Sequence, residues 1–189
     1  MTNKLMCHSM IYMLVKLQKN IEVKFEPYWM WQNNPLYKNK KLANGPYTIG
    51  SSGCAIASML GLFNLYCNTR LTVGAFNKIL LSHDGFVGSM CKWDILSELI
   101  RGVRFLWSIG YTNGPAELRY LRYPCIVRVD YDPSTKEEDA HYVLVLAKQD
   151  DDDLLISDPI DGKIRSFNSR FGFPTGGLER AIYQIIAYE

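Results

Sequence analysis

From Cys54 onward, apolar side chains recur at Ile56, Met59, Leu60 and Phe63, the i, i+3, i+4, i+7 spacing of one helix face. Ser51 and Ser52 stand just before this run as candidate caps. A second helix is predicted from about Thr72, a good capping residue, to Leu81, with Val73, Phe76, Ile79 and Leu80 inward. A third covers Lys92 to Ile100, with Trp93, Leu96 and Leu99 or Ile100 on one face. Residues 115–122, "PAELRYLR", read as a short fourth helix with proline in its first turn. After Pro124 the period shortens to two. "CIVRVDY" sets Arg128 and Asp130 on the face opposite Val127, Val129 and Tyr131. "HYVLVLA" and "DLLISDP" follow across the polar turn "KQDDDD", then the short strand "KIRSF". The closing "AIYQIIAYE" fits a strand or a helix.

Helices first and antiparallel strands afterwards give an α+β fold. The stretch "EVKFEPYWMWQNNPLYKNKKLANGPYTIG" is rich in Pro, Asn, Gly and aromatics, which predicts a long, irregular but packed loop. Residues 1–20 have too weak a period to distinguish an ordered arm from a short helix. The expected division is an arm or helix over 1–20 and one domain over 21–189, a length that suits a single core.

Composition narrows the function classes. Hydrophobic residues make up 48% and charged residues 21% of 189, an ordinary globular balance, and the net charge is +2. Lys38, Lys40 and Lys41 form the densest basic cluster, read as a solvated loop rather than a nucleic-acid patch. Five cysteines without CxxC spacing suit neither a disulfide framework nor a zinc site, and reduced thiols in a cytosolic setting are expected. The apolar run Met10–Val15 is too short for a signal peptide or a membrane span. The acidic run Asp150–Asp153 lacks the spaced ligands and glycine of a calcium loop and is read as a solvated turn. No metal or cofactor is expected.

Cys54 is the candidate for chemistry. At the first turn of a helix a thiol meets partial positive charge and unpaired N–H groups, which favour thiolate. Gly53 before it allows a tight turn and leaves room for a substrate chain. The competing reading is a buried structural thiol. Of three histidines, His8 falls in the ambiguous arm and His83 is placed to cap a helix C-terminus. His141 opens a strand after a polar loop, a position that is held and partly exposed. If Ala147 faces Leu154 in the hairpin, His141 opposes Ile160, and Asp158 is its diagonal neighbour on the same face. A tighter turn sets His141 and Asp158 directly opposite; an odd-length loop would separate them onto two faces. Asp158 also fits the plainer role of starting an Asp-Pro turn. Gln32 could supply an oxyanion donor, with Asn33 and Asn34 as competitors or all three as turn residues.

Taken in order, "WQNNP", "IGSSGCAIASML", "YPCIVRVD", "HYVLVLA" and "ISDP" resemble the papain-like cysteine peptidases of the bacteriocin-leader-processing type, especially their stand-alone phage and bacterial relatives. The resemblance spans about residues 27 to 160. It implies a papain-like fold, with an N-terminal helical half around the Cys-bearing helix and a C-terminal antiparallel sheet. It implies Cys54 as nucleophile, His141 as general base and acid, Asp158 as its orienter and Gln32 as oxyanion donor. Two departures stand out. "AIAS" replaces the Gly-Pro-Thr-Ser type of run that often follows Gly-Cys, and the membrane spans and ATPase of the transporter members are missing, so an exporter role is not expected.

The function expected from this resemblance is hydrolysis of a peptide or isopeptide bond through a thioester, on a peptide, protein or peptidoglycan substrate. A phage-type enzyme acting from the host cytoplasm or at the cell wall fits, with no signal peptide and no nucleic-acid partner. The alternatives are a non-catalytic scaffold for binding or virion assembly, and a thiol-dependent transferase or deamidase.

Overall fold

The computed structural model describes residues 26–110, 121–132, 139–150, 153–172 and 178–189. The arm at 1–20, His8 and most of the helix expected at 115–122 lie outside these residues; Leu121 and Arg122, at its end, are not helical.

A 3-10 turn at Pro27–Met30 opens the described chain, followed by turns up to the single bridge Lys41–Thr48. Two helices then abut. The first, α1 (Ile49–Ser52), is capped by Thr48 and Ser51 in a reciprocal capping box. The second, α2 (Cys54–Cys67), has Gly53 as its cap and no side-chain cap at all. The serines expected to cap the Cys-bearing helix are therefore spent one element earlier. α3 (Val73–Ser82) starts at Thr72, whose hydroxyl accepts from Ala75 N–H, and ends at His83, whose Nδ1 lies 3.0 Å from Ile79 O.

A hairpin of β1 (Phe86–Val87) and β2 (Met90–Cys91) precedes α4 (Ile95–Leu99). The third helix is thus shorter than its apolar spacing suggests. The Lys92 N–H donates to Gly85 O at the base of the hairpin, which keeps Lys92 and Trp93 out of the helix.

The remaining strands are β3 (Phe105–Gly110), β4 (Cys125–Asp130), β5 (Ala140–Asp150), β6 (Asp153–Asp158), β7 (Lys163–Ser166) and β8 (Ile182–Tyr188). They form one antiparallel sheet in the order β3-β8-β4-β5-β6-β7. The ambiguous C-terminal run is resolved as a strand that pairs with β3 on one side and β4 on the other, with Ile182, Ile185 and Ile186 buried. Short helices α5 (Phe167–Phe171) and α6 (Leu178–Ala181) lie between β7 and β8. The architecture is α+β, with helices against a six-stranded antiparallel sheet.

The sheet is covered on both faces. Ile126, Leu144 and Ile186 pack with the helices, while Val127, Val129, Val143, Val145 and Ile156 pack with Phe167 and Leu178. α2 runs between the sheet and α3, so it is buried beyond a single stripe: Ala57, Ser58, Gly61 and Leu62 are covered along with Ile56, Met59 and Leu60. Phe63, expected on the inner face, is only partly buried. A Cβ on Gly61 would come within 2.6 Å of Leu144 Cδ2, which shows how closely helix and sheet approach. Ser58 Oγ donates to Tyr142 O at 3.1 Å, tying α2 to β5 beside the site. Among the described residues no helix is long and apolar enough to cross a membrane.

Candidate active site

Cys54 is the first residue of α2. The first backbone bond of that helix runs from Ala57 N–H to Gly53 O, so the N–H groups of Cys54, Ala55 and Ile56 precede the ladder. Gly53 is needed by the chain itself. A Cβ there would lie 2.3 Å from Ile49 O, because α1 turns directly into α2.

His141 enters at the start of β5 and is 3% exposed. Its Nε2 lies 2.8 Å from Asp158 Oδ1, and the ring lines the same cleft as Cys54, with Nδ1 the nitrogen that Asp158 does not engage. The hairpin register explains the pairing. At the site end Leu144 pairs with Ser157 and Val145 with Ile156, so by alternation His141 and Asp158 share a face. Nearer the turn Ala147 pairs with Leu155, not Leu154, and irregularities fall between Val145 and Ala147 and between Lys148 and Asp150. A bulge there shifts the register by one residue.

Asp158 is wholly buried. It starts the Asp-Pro turn and also orients the histidine: Oδ1 accepts from Ile160 N–H at 3.0 Å as well as facing His141. Burial alone would raise its carboxyl, but the His141 and Ile160 bonds and Arg170 hold it down at about 2. Burial likewise works against a charged His141, yet the bonds and charges of Asp158 and Cys54 outweigh it and push the imidazole up to about 9. An imidazolium beside Cys54 is favoured well past neutral pH.

Gln32 is buried and lines the same cleft as Cys54 and His141. Its N–H donates to Pro159 O at 2.8 Å, and its Nε2 donates to Gly50 O at 3.0 Å. A primary amide nitrogen carries two hydrogens, so one remains. The competitors Asn33 and Asn34 do not line this cleft. Asn33 Nδ2 donates to Ile160 O, and Asn34 spans Tyr28 Oη and the Leu36 N–H. The structure therefore brings Gln32, Cys54, His141 and Asp158 to one place.

Arg170 is a further member that the sequence does not announce. Its Nε donates to Asp158 Oδ2 at 2.7 Å, closing the oxygen that His141 leaves open. Its guanidinium carbon lies 5.0 Å from the Tyr131 ring centroid and 4.7 Å from that of Phe171. Tyr131 packs edge-on against His141 with centroids 5.4 Å apart, and Phe171 lies 6.4 Å away. Charge and rings thus hold Asp158 and His141 from one side.

The helix bearing Arg170 is fixed by Asp153, the last residue of the acidic run. Asp153 is buried: its Oδ1 accepts from Asn168 N–H at 3.0 Å, and its Oδ2 accepts from Ser166 Oγ. At Asp153 the expectation of a solvated turn is therefore wrong, because this carboxylate receives the N-terminus of α5. Residues 151 and 152 lie outside the described residues. No group of three or more His, Cys, Asp or Glu among the described residues is placed to hold a metal ion.

The cleft has a volume of about 880 Å³. Cys91 also lines it, and burial, reinforced by Cys54, pushes its thiol up to about 12. The cleft thus contains two thiols, one at a helix N-terminus beside an imidazole and the other held protonated. No protein-family model, curated protein or solved structure matches this chain.

Proposed function

We propose that the protein is a papain-like cysteine peptidase that hydrolyses a peptide or isopeptide bond by acyl transfer. The observation that supports this most directly is the buried His141–Asp158 pair, 2.8 Å between His141 Nε2 and Asp158 Oδ1, with His141 and Cys54 lining one cleft. The Cys54 thiolate attacks the carbonyl carbon, and the carbonyl π electrons move onto oxygen. The Cys54 N–H and the second Gln32 Nε2 hydrogen receive that oxyanion. His141 then protonates the leaving amine, the C–N bond breaks and a thioester remains. Water, deprotonated by His141, adds to the thioester, and collapse returns the thiolate and releases the acid. Asp158 stays ionised and keeps the imidazole in the productive orientation, as the third member of such triads does.

Iodoacetamide labelling followed by mass spectrometry tests this reading. Cys54 should react at least tenfold faster than Cys67 or Cys91 at pH 7, and the difference should vanish in His141→Ala. Equal rates at the three thiols in the wild-type chain would refute it.

A further inference from the structure

We infer that the substrate is a stretch of protein chain carrying large apolar side chains next to the scissile bond, and that the β1–β2 hairpin selects it. This rests on the peptidase reading above and separates two substrate classes which that reading leaves open.

Few large apolar side chains are exposed among the described residues, and most of them gather at one place. Tyr47 (53% exposed), Val87 (62%), Met90 (73%) and Tyr131 line the cleft that contains Cys54 and His141; only Tyr28 and Leu36 stand elsewhere. Exposed apolar side chains scattered singly need no explanation, whereas a cluster around a reactive group marks a contact surface. The hairpin shows how the cluster is built. Val87 pairs directly with Met90 across a turn that contains Gly88 at φ +63°, while the next pair, Phe86 and Cys91, packs toward the core. Among the described residues the two-stranded unit joins no other strand, and Val87 and Met90 of its outer pair stay exposed.

An amide carbonyl can reach the Cys54 sulfur only if the chain bearing it lies in this cleft. Its neighbouring side chains must then meet Tyr47, Val87 and Met90. Among the described residues, ionisable side chains in the cleft other than tyrosine, Cys54, His141 and Cys91 are few: Lys92, which is paired with Asp84, together with Asp94 and Asp139. A murein cross-bridge is made of small or charged residues next to sugars. It would leave the apolar walls wet and find few partners for its charges. A protein segment with Leu, Met, Phe or Tyr beside the cut buries those walls.

The test compares a library of protein-derived peptides with purified murein, each incubated with the full chain and with Cys54→Ala, and reads products by mass spectrometry. Cys54-dependent cuts are expected in the peptides, with a large apolar residue within two positions of the bond. The double variant Val87→Lys/Met90→Lys changes only exposed positions and should melt at the wild-type temperature. Its kcat/KM on the best peptide should fall by about tenfold or more, with a smaller fall on the same peptide carrying Ala at the apolar position. Cuts without apolar preference, cleavage of murein alone, or unchanged kcat/KM in the double variant would overturn the inference and leave the peptidase reading standing. So would a Cys54 that labels fast while no library peptide is cut. Self-association of the wild type that the double variant abolishes, with cleavage unaltered, would assign the patch to a second copy of this chain instead. A Cys54 that is inert to alkylation and cuts nothing overturns both readings.

Discussion

Replacing Arg170 by Gln removes a cation from a carboxylate that has no access to water. Asp158 is wholly buried, and Arg170 Nε holds its Oδ2 at 2.7 Å. Holding that carboxyl at about 2 instead of 3.8 corresponds to about 2.5 kcal/mol of native-state stability at neutral pH. His141, the Ile160 N–H and Arg170 share this contribution. Loss of the guanidinium removes its part and leaves Oδ2 buried without a partner, which costs about 1–3 kcal/mol more. The expected total is about 3 kcal/mol, or roughly 9 °C in melting temperature for a chain of this size. The pH dependence gives the sharper test. The folded-state pKa is depressed, so the stabilisation is complete above the unfolded value and is lost as pH falls toward 2. The gap between wild type and Arg170→Gln should therefore be widest above pH 5 and narrow between pH 4 and pH 2, measured by calorimetry across that range. Arg170→Lys should recover part of the gap, since it restores the charge without the planar stack on Tyr131 and Phe171. A gap of constant size at all pH values would refute the reasoning and assign Arg170 to packing alone.

Other expectations follow from the same geometry. Asp158→Asn should lower kcat/KM by about 10²–10⁴-fold and move the alkaline limb of the activity profile down from about pH 9 toward 7, because His141 loses the partner that raises it; steady-state kinetics from pH 5 to 10 would show this. Gln32→Ala should reduce kcat by about 10–10³-fold with KM nearly unchanged, read by the same assay. Gly53→Ala should cost about 1–3 kcal/mol in urea unfolding, since its Cβ would meet Ile49 O at 2.3 Å and backbone cannot yield cheaply.

Much of this arrangement is legible in the sequence. Period-two alternation after Pro124 announces β4, β5 and β6, and the helix at Cys54 follows from its apolar spacing. Same-face parity correctly pairs His141 with Asp158, although for an incomplete reason. The Ala147–Leu155 pairing, continued without a bulge, would put the two side chains on opposite faces. Irregular register is not written in a hydrophobic pattern, because a bulge leaves local propensity unchanged. Arg170 and Asp153 stay hidden for a related reason: their contacts depend on where a short helix lands after β7, which no periodicity specifies. Ser51 and Ser52 mislead because the capping rule is local, and α1 claims Ser51 before α2 begins. The strand at Phe105–Gly110 is fixed by pairing with the distant C-terminus, as Ser108 against Ile186 shows.

The bulge between Val145 and Ala147 has a consequence for changing this protein. It lies between the His141 end of the hairpin and the tip, so the site counts its register from Val145 inward and not from the turn. Residues added beyond it, near 151 and 152, alter the length of the tip without turning His141 over. Those positions are where a tag or a short insertion belongs, with Asp153 kept in place to hold α5. A single residue deleted between His141 and Val145, by contrast, would turn His141 to the other face and take the imidazole away from its carboxylate.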